Sequence, residues 1–135
     1  MPSNILLYTA EKISSEEMIK KAIDVKAENI SQENETRFTL TRDTQTIWFF
    51  LDSITLSELE EPSLSKVVEL ISGVPQTCIN IEIRRTGNGE RLAAELANYF
   101  LQYYSGVLLG VTRSPYSRQD IARMLITDSK PDFDG

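Results

Sequence analysis

Histidine is absent from the 135-residue chain, and cysteine occurs once, at Cys78. The lack of histidine removes the commonest general base, the nucleophile–histidine dyads and triads, and the commonest transition-metal ligand. A zinc site built from cysteine and histidine is excluded for the same reason. An enzyme would have to use carboxylate, lysine, tyrosine or cysteine chemistry, or Mg²⁺ held by carboxylates. We therefore expect a protein that is not an enzyme and holds no cofactor or metal.

Basic charge is also scarce, since 14 Lys and Arg residues face 20 Asp and Glu residues, a formal net charge of −6. A protein that binds nucleic acid needs a concentrated stripe of Lys and Arg, so we expect no nucleic-acid partner. An acid excess focused on one face would instead attract a cationic partner.

Signals for secretion or membrane insertion are missing as well. The start, MPSNILLYTAEK, has no basic segment and only a short apolar run, unlike a signal peptide. No stretch reaches the roughly 18 apolar residues of a membrane-spanning helix. A single cysteine cannot form an internal disulfide, which fits a reducing compartment. We expect a cytoplasmic protein without a membrane partner.

Hydrophobic residues make up 41% of the chain, and no linker divides it. This indicates one domain, residues 1–135, with a polar, frayed tail from about residue 127. Apolar spacing predicts the order β-α-β-β-α-β-α-β-α. The first six elements have the order of a ferredoxin-like sheet. We predict an α+β fold with an antiparallel or mixed sheet, helices packed mainly on one face, and an open opposite face.

Local patterns place several side chains. In TCINIEIRR, residues 77–85, the isoleucines at 79, 81 and 83 alternate with Cys78 and Asn80, so they should face the core. Ser14 with Glu17, and Ser117 with Asp120, have the spacing of helix N-caps. After the first cap, a helical stripe is predicted through Ile19, Ile23, Ala27 and Ile30.

The turn RRTGNGER lies between a predicted strand and helix and carries Arg84, Arg85 and Arg91. Backbone N–H groups at a helix start bind phosphate in many proteins. Both standard phosphate-loop patterns are incomplete here, because a lysine or a third glycine is missing. A tight turn that needs a positive φ explains the glycines more simply. Anion binding at this turn stays open.

The segment LDSITLSELEEPSLSKVVELI, residues 51–71, places four acids in ten positions with no basic residue among them. A solvated loop next to a helix start would tolerate them. A consecutive pair of glutamates points in two directions and is a poor Mg²⁺ ligand. The functional interpretation is a patch that faces a basic partner, formed by Asp52, Glu58, Glu60 and Glu61.

Two tyrosines complete the candidate partner-binding residues. Tyr103 lies off the centre of the apolar stripe in the predicted helix ERLAAELANYFLQYY, and Tyr116 is placed on a loop in SPYS. An exposed tyrosine is a good interface anchor, because it offers contact area and a hydroxyl at low entropy cost.

The segment RLAAELANYFLQYYSGVLLGV, residues 91–111, followed by YSRQDIARML, resembles the C-terminal part of immunity-protein families of bacterial polymorphic-toxin and contact-dependent-inhibition systems. In those families a helix leads through a small-residue turn into a short strand. Ser105 stands where the families' other glycine would be. The resemblance spans about thirty residues, with matches at Leu92, Leu96, Ala97, Leu101 and Gly106.

The resemblance implies a small, acidic, non-enzymatic inhibitor that binds one cognate toxin domain and blocks its active site or substrate groove. A nuclease-type toxin would be basic, and the acid excess of this chain suits a basic partner. The alternatives are a small-molecule-binding or regulatory α+β domain that uses the open sheet face, and an enzyme that uses carboxylates or Mg²⁺.

Overall fold

A computed structural model describes the following parts of the chain: residues 3–24, 29–32, 37–42, 45–51, 63–71, 73, 75–83, 89–111, 114–127 and 133. The strands are β1 Ser3–Thr9, β2 Asn29–Gln32, β3 Arg37–Arg42, β4 Gln45–Leu51, β5 Thr77–Ile83, β6 Gly106–Leu109 and β7 Pro115–Tyr116. The helices within these ranges are α1 Ser15–Asp24, α2 Ser63–Ile71, α3 Glu90–Tyr103 and α4 Arg118–Thr127.

The strands form one open antiparallel sheet in the order β2-β3-β4-β5-β1-β6-β7, of which β7 is only two residues long. The α+β class is confirmed. The ferredoxin-like strand order is not confirmed, because β5 lies between β4 and β1, whereas that order would place β1 between β4 and β5. The predicted last strand does extend the sheet, since β6 pairs with β1.

The main core lies on one face of the sheet and follows a row of side chains across four strands. Phe38, Phe49, Ile81 and Ile5 are successive cross-strand partners, and all four are fully buried. The rings of Phe38 and Phe49 stack with their centroids 5.3 Å apart. This row confirms that the isoleucines of β5 face the core.

Three helices cover this face. Residues of α1, α3 and α4 belong to the same buried cluster, whereas α2 packs on the opposite face through Val67 and Ile71. There α2 meets β1, β5 and β6, and Cys78 lies 2% exposed among apolar side chains, as a packing residue would. No helix within the described ranges is long and apolar enough to cross a membrane.

Both predicted N-caps are present. The backbone N–H of Glu17 donates to Ser14 Oγ at 3.2 Å. At α4, the backbone N–H of Asp120 donates to Ser117 Oγ at 3.2 Å, while the N–H of Ser117 donates to the Asp120 carboxylate at 2.9 Å. The bonds that its carboxylate accepts from the N–H and the hydroxyl of Ser117 hold the pKa of Asp120 below its ordinary value, with help from the nearby charge of Arg123.

The predicted helical stripe through Ile30 is wrong beyond the first helix. Helix α1 ends at Asp24, Ile23 is 55% exposed, and Ile30 lies in β2. Sheet pairing of β2 with β3 overrides the helical spacing of these residues, because strand preference depends strongly on the neighbours that a segment pairs with.

The C-terminal tail also differs from the expectation at one residue. Phe133 is 4% exposed and belongs to the main core, although the residues around it in the sequence are polar. Its carbonyl oxygen accepts a hydrogen bond from the backbone N–H of Val111 at 2.9 Å. The tail is therefore anchored at Phe133 and is not frayed there.

Candidate protein-interaction surface

The four acids predicted to face a partner, Asp52, Glu58, Glu60 and Glu61, lie outside the residues that the structure describes. Their role stays a prediction. The two tyrosines predicted beside them, Tyr103 and Tyr116, are described, and they lie in different environments.

Tyr103 occupies the last turn of α3, on the side that faces away from the sheet. The helix turns its apolar stripe towards the core, and Tyr103 falls outside that stripe. Its side chain is 56% exposed, which makes it one of the few large apolar side chains on the surface of the described chain. The buried stripe of α3 comprises Leu92, Ala93, Ala94, Leu96, Ala97, Phe100 and Leu101.

Two neighbours contact the Tyr103 ring, and a third residue holds one of them. The Lys21 ammonium of α1 lies 3.7 Å from the centroid of the ring, a cation–π contact. The ring of Tyr99, one turn earlier in α3, lies 5.1 Å away in a tilted arrangement. The Tyr99 hydroxyl in turn donates to the Asp24 carboxylate of α1 at 2.8 Å. We call this group (Lys21, Asp24, Tyr99 and Tyr103) the tyrosine face.

The sequence predicted Tyr103 at this surface but not Lys21 or Asp24. The i,i+4 spacing of Tyr99 and Tyr103 was the available signal, because residues four apart lie side by side on a helix. The contribution of α1 could not be found from spacing, since it depends on how two helices far apart in sequence pack.

A second set of contacts fixes α1 against the end of α3. The Tyr104 hydroxyl donates to the Glu17 carboxylate at 2.7 Å. The backbone N–H of Ser105 donates to the Glu11 carboxylate, with N–O distances of 3.0 and 3.2 Å. Burial, and then the bond to Glu17, raise the pKa of Tyr104 to about 12. Tyr104 therefore stays protonated at neutral pH and keeps donating to Glu17.

The same logic applies to the tyrosine face. The pKa of Tyr99 is raised above its ordinary value, first by the hydrogen bond with Tyr103 and then by the bond to the Asp24 carboxylate. A carboxylate acceptor favours the neutral phenol, because the phenolate would place two negative charges side by side. Tyr99 therefore stays protonated at neutral pH and keeps donating to Asp24.

Tyr116 lies in strand β7, not on a loop as predicted, and it is half-buried. Its ring meets the ring of Phe133 edge-on, with centroids 5.4 Å apart. Tyr116 also forms one wall of an open cleft of about 400 Å³ between β7 and α4. The cleft, which we call the β7–α4 cleft, is lined by Ser114, Pro115, Tyr116, Asp120, Arg123 and Met124.

The arginine-rich turn before α3 is described only from Gly89 onward, so Arg84 and Arg85 lie outside the described residues. Arg91 donates from its guanidinium to the carbonyl oxygen of Leu125 at 3.2 Å, a contact that joins α3 to α4. At the N-terminus of α3, the backbone N–H of Leu92 donates to the side-chain oxygen of Gln45 at 2.9 Å. This N–H is therefore satisfied by the chain itself.

Gly89 has a negative φ of −93°, so the expectation of a positive φ does not hold there. The reason for glycine is steric. A Cβ at this position would lie 2.3 Å from Ile47 Cγ2 and 2.6 Å from the carbonyl oxygen of Thr46, so any larger residue would push α3 away from β4.

The face of the sheet opposite the main core carries a different group of side chains beyond the area covered by α2. Trp48 lies between Thr39 and Glu82 in the sheet register, and Phe50 lies between Arg37 and Asn80. The Arg37 guanidinium carbon is 5.8 Å from the centroid of the Phe50 ring. The face is thus aromatic and polar at once, unlike the main core.

Among the described residues, no group of three or more His, Cys, Asp or Glu side chains is placed to hold a metal ion. Comparisons of the chain with protein-family models, with curated proteins and with solved structures found no match.

Proposed function

We propose that this protein is an immunity protein that binds a cognate bacterial toxin domain and blocks its active site or substrate groove. The observation that carries the proposal is the tyrosine face, in which a largely exposed tyrosine is held by a lysine and a second tyrosine. The acid excess of the chain and its resemblance to immunity proteins over residues 91–111 support the same function.

The ordering of Tyr103 favours binding for an energetic reason. A side chain that is free in solution loses rotamer entropy when a partner fixes it, at a cost of about 0.5–1.5 kcal/mol. Tyr103 already packs against Lys21 and Tyr99, so part of that cost is met during folding. Interface residues that contribute most to affinity are enriched in tyrosine and are often ordered before binding.

The proposed partner is a basic protein domain, of which a nuclease-type toxin is the candidate. A net charge of −6 attracts such a partner over a distance of about one Debye length, close to 8 Å at physiological salt. The acids Asp52, Glu58, Glu60 and Glu61 are proposed to supply the local part of this attraction. We propose a cytoplasmic location, where the toxin would act.

Co-expression tests the proposal directly. The protein should co-purify with the toxin encoded by the adjacent gene, inhibit the activity of that toxin at equimolar amounts, and protect cells that produce it. An adjacent gene whose product neither binds this protein nor is inhibited by it would overturn the proposal.

A second candidate function is a small-molecule-binding or regulatory domain that uses the aromatic and polar sheet face. The observation that favours it is the placement of Trp48 and Phe50 beside Arg37, Glu82 and Asn80. Aromatic rings next to hydrogen-bonding side chains suit a planar or ring-shaped polar ligand.

The two candidates differ in what a ligand screen would find. A thermal-shift screen of sugars and nucleosides should give no stabilisation if the immunity function holds. A dose-dependent rise in melting temperature that is lost in Trp48→Ala, together with no toxin binding, would place the second candidate first.

A further inference from the structure

Phe133 combines two kinds of contact that proteins use to recognise extended peptides. Its main chain accepts a hydrogen bond from the backbone N–H of Val111, and its ring inserts edge-on against Tyr116. Val111 lies just beyond the end of β6, and a main-chain bond together with a recess for an aromatic side chain are usual elements of peptide docking. We call Gly110, Val111 and Tyr116 the Phe133 site.

The backbone of Phe133 approaches Gly110 closely, and the site depends on this approach. A Cβ on Gly110 would lie 2.2 Å from the carbonyl oxygen of Phe133 and 2.9 Å from Tyr116 Cε2. The first contact is with main chain, which has little room to move aside. Glycine is therefore required for the Phe133 backbone to reach Val111.

The β7–α4 cleft adjoins this site, because Tyr116 forms a wall of both. The cleft also contains Arg123, whose side chain is exposed. The other charged group of the cleft is the Asp120 carboxylate, which accepts from the N–H and the hydroxyl of Ser117 and lies near Arg123. In the sequence PDFDG, acids precede and follow Phe133, so a peptide of this sequence is opposite in charge to Arg123.

We propose that the Phe133 site is a docking site for an extended acidic peptide that carries an aromatic residue, and that Phe133 of the chain itself occupies it in cis. A segment of the same chemistry supplied in trans should bind once Phe133 is removed. The proposal is independent of the tyrosine face and of the toxin partner, so either can fail alone.

The test uses the full-length chain with the substitution Phe133→Ala. The probe is a fluorescent synthetic peptide of residues 128–135, and its control carries alanine in place of the phenylalanine. Polarisation should show that the variant binds the probe at least 10-fold more tightly than the wild type does, because the tethered Phe133 competes at an effective concentration of about a millimolar. The alanine peptide should bind neither protein.

A second substitution tests how much charge contributes to probe binding. Arg123→Gln, added to Phe133→Ala, should weaken probe binding several-fold and make it less sensitive to salt. Equal probe affinity for the wild type and the Phe133→Ala variant, or equal affinity of the variant for the two peptides, would overturn the proposal.

If Phe133→Ala does not fold, hydrogen exchange on the wild type tests the proposal. A site that exchanges its occupant must open locally, so the Val111 amide should exchange at least 100-fold faster than the Ile81 amide at the centre of β5. Equal protection of the two amides would show that Phe133 is released only by global unfolding, which would overturn the proposal.

Discussion

The substitution Ile81→Asp probes the buried row that joins four strands. Ile81 is fully buried and pairs across the sheet with Phe49 on one side and Ile5 on the other. Cutting back a fully buried isoleucine costs about 2–5 kcal/mol, and leaving a buried polar group unsatisfied adds about 1–3 kcal/mol. The expected loss is thus at least about 3 and on the order of 5 kcal/mol, against a total stability of about 5–15 kcal/mol.

Asn80→Asp is the matched control, because it places the same side chain one residue earlier and on the opposite face. Asn80 accepts a hydrogen bond from the Asn4 side-chain amide at 2.7 Å, and an aspartate there would accept the same bond. We expect this variant to lose less than about 2 kcal/mol.

Thermal unfolding followed by circular dichroism compares the two variants with the wild type. For a chain of this size 1 kcal/mol corresponds to roughly 3–5 °C, so Ile81→Asp should melt about 15 °C lower or fail to accumulate as soluble protein. A melting temperature within a few degrees of the wild type would refute the assignment of the β5 isoleucines to the core.

Three further outcomes are expected. Asp120→Asn should lower the free energy of unfolding by about 0.5–1 kcal/mol at pH 7, because it weakens the reciprocal cap with Ser117. Since the pKa of Asp120 is lowered by folding, its contribution is present above the unfolded value of about 4 and is lost as pH falls through the folded value. Urea unfolding at pH 7 and pH 3 should therefore show a difference between variant and wild type that narrows in acid. Saturating Mg²⁺, Mn²⁺ or Zn²⁺ should leave the melting temperature unchanged, and a dose-dependent rise of several degrees with one of them would favour the enzyme alternative. Replacing Glu58, Glu60 and Glu61 with Gln should slow association with the toxin about 10-fold at low ionic strength, with the difference narrowing as salt rises, whereas an association rate that ignores both charge and salt would leave these acids as solvated residues only.

Local signals in the sequence were sufficient for part of the fold. The alternation in β5 and the two serine caps each depend on residues within a few positions, and each was predicted. The end of α2 is local as well, since Gly73 follows the helix and its N–H donates to the carbonyl oxygen of Val68 at 3.2 Å.

Longer-range features could not be predicted in the same way. The predicted succession of elements lacked β2 and β7, and the sheet places β5 between β4 and β1, where the ferredoxin-like order would pair β4 directly with β1. Strand β2 has the sequence NISQ, which lacks an apolar alternation and is defined by its pairing with β3. The burial of Phe133 depends on a recess formed by Gly110 and Tyr116, which no short pattern encodes.

The residues of the candidate surface also differ in whether they depend on local sequence or on tertiary packing. Tyr103 was found because its position on the helix is a local property, while Lys21 and Asp24 came to it through the packing of α1 on α3. Tyr116 was assigned to a loop because a two-residue strand containing proline has no strand pattern of its own.

The affinity of the Tyr103→Ala variant for the cognate toxin tests the central proposal most directly. Leu70→Ala is the control, because Leu70 is similarly exposed, at 50%, and belongs to α2 on the opposite face of the sheet. If the tyrosine face contacts the toxin, calorimetric titration should show a loss of at least about 2 kcal/mol for Tyr103→Ala, roughly 30-fold in Kd, with Leu70→Ala within about threefold of the wild type. Both variants should melt close to the wild type. A Tyr103→Ala variant that binds the toxin as tightly as the wild type would contradict the account.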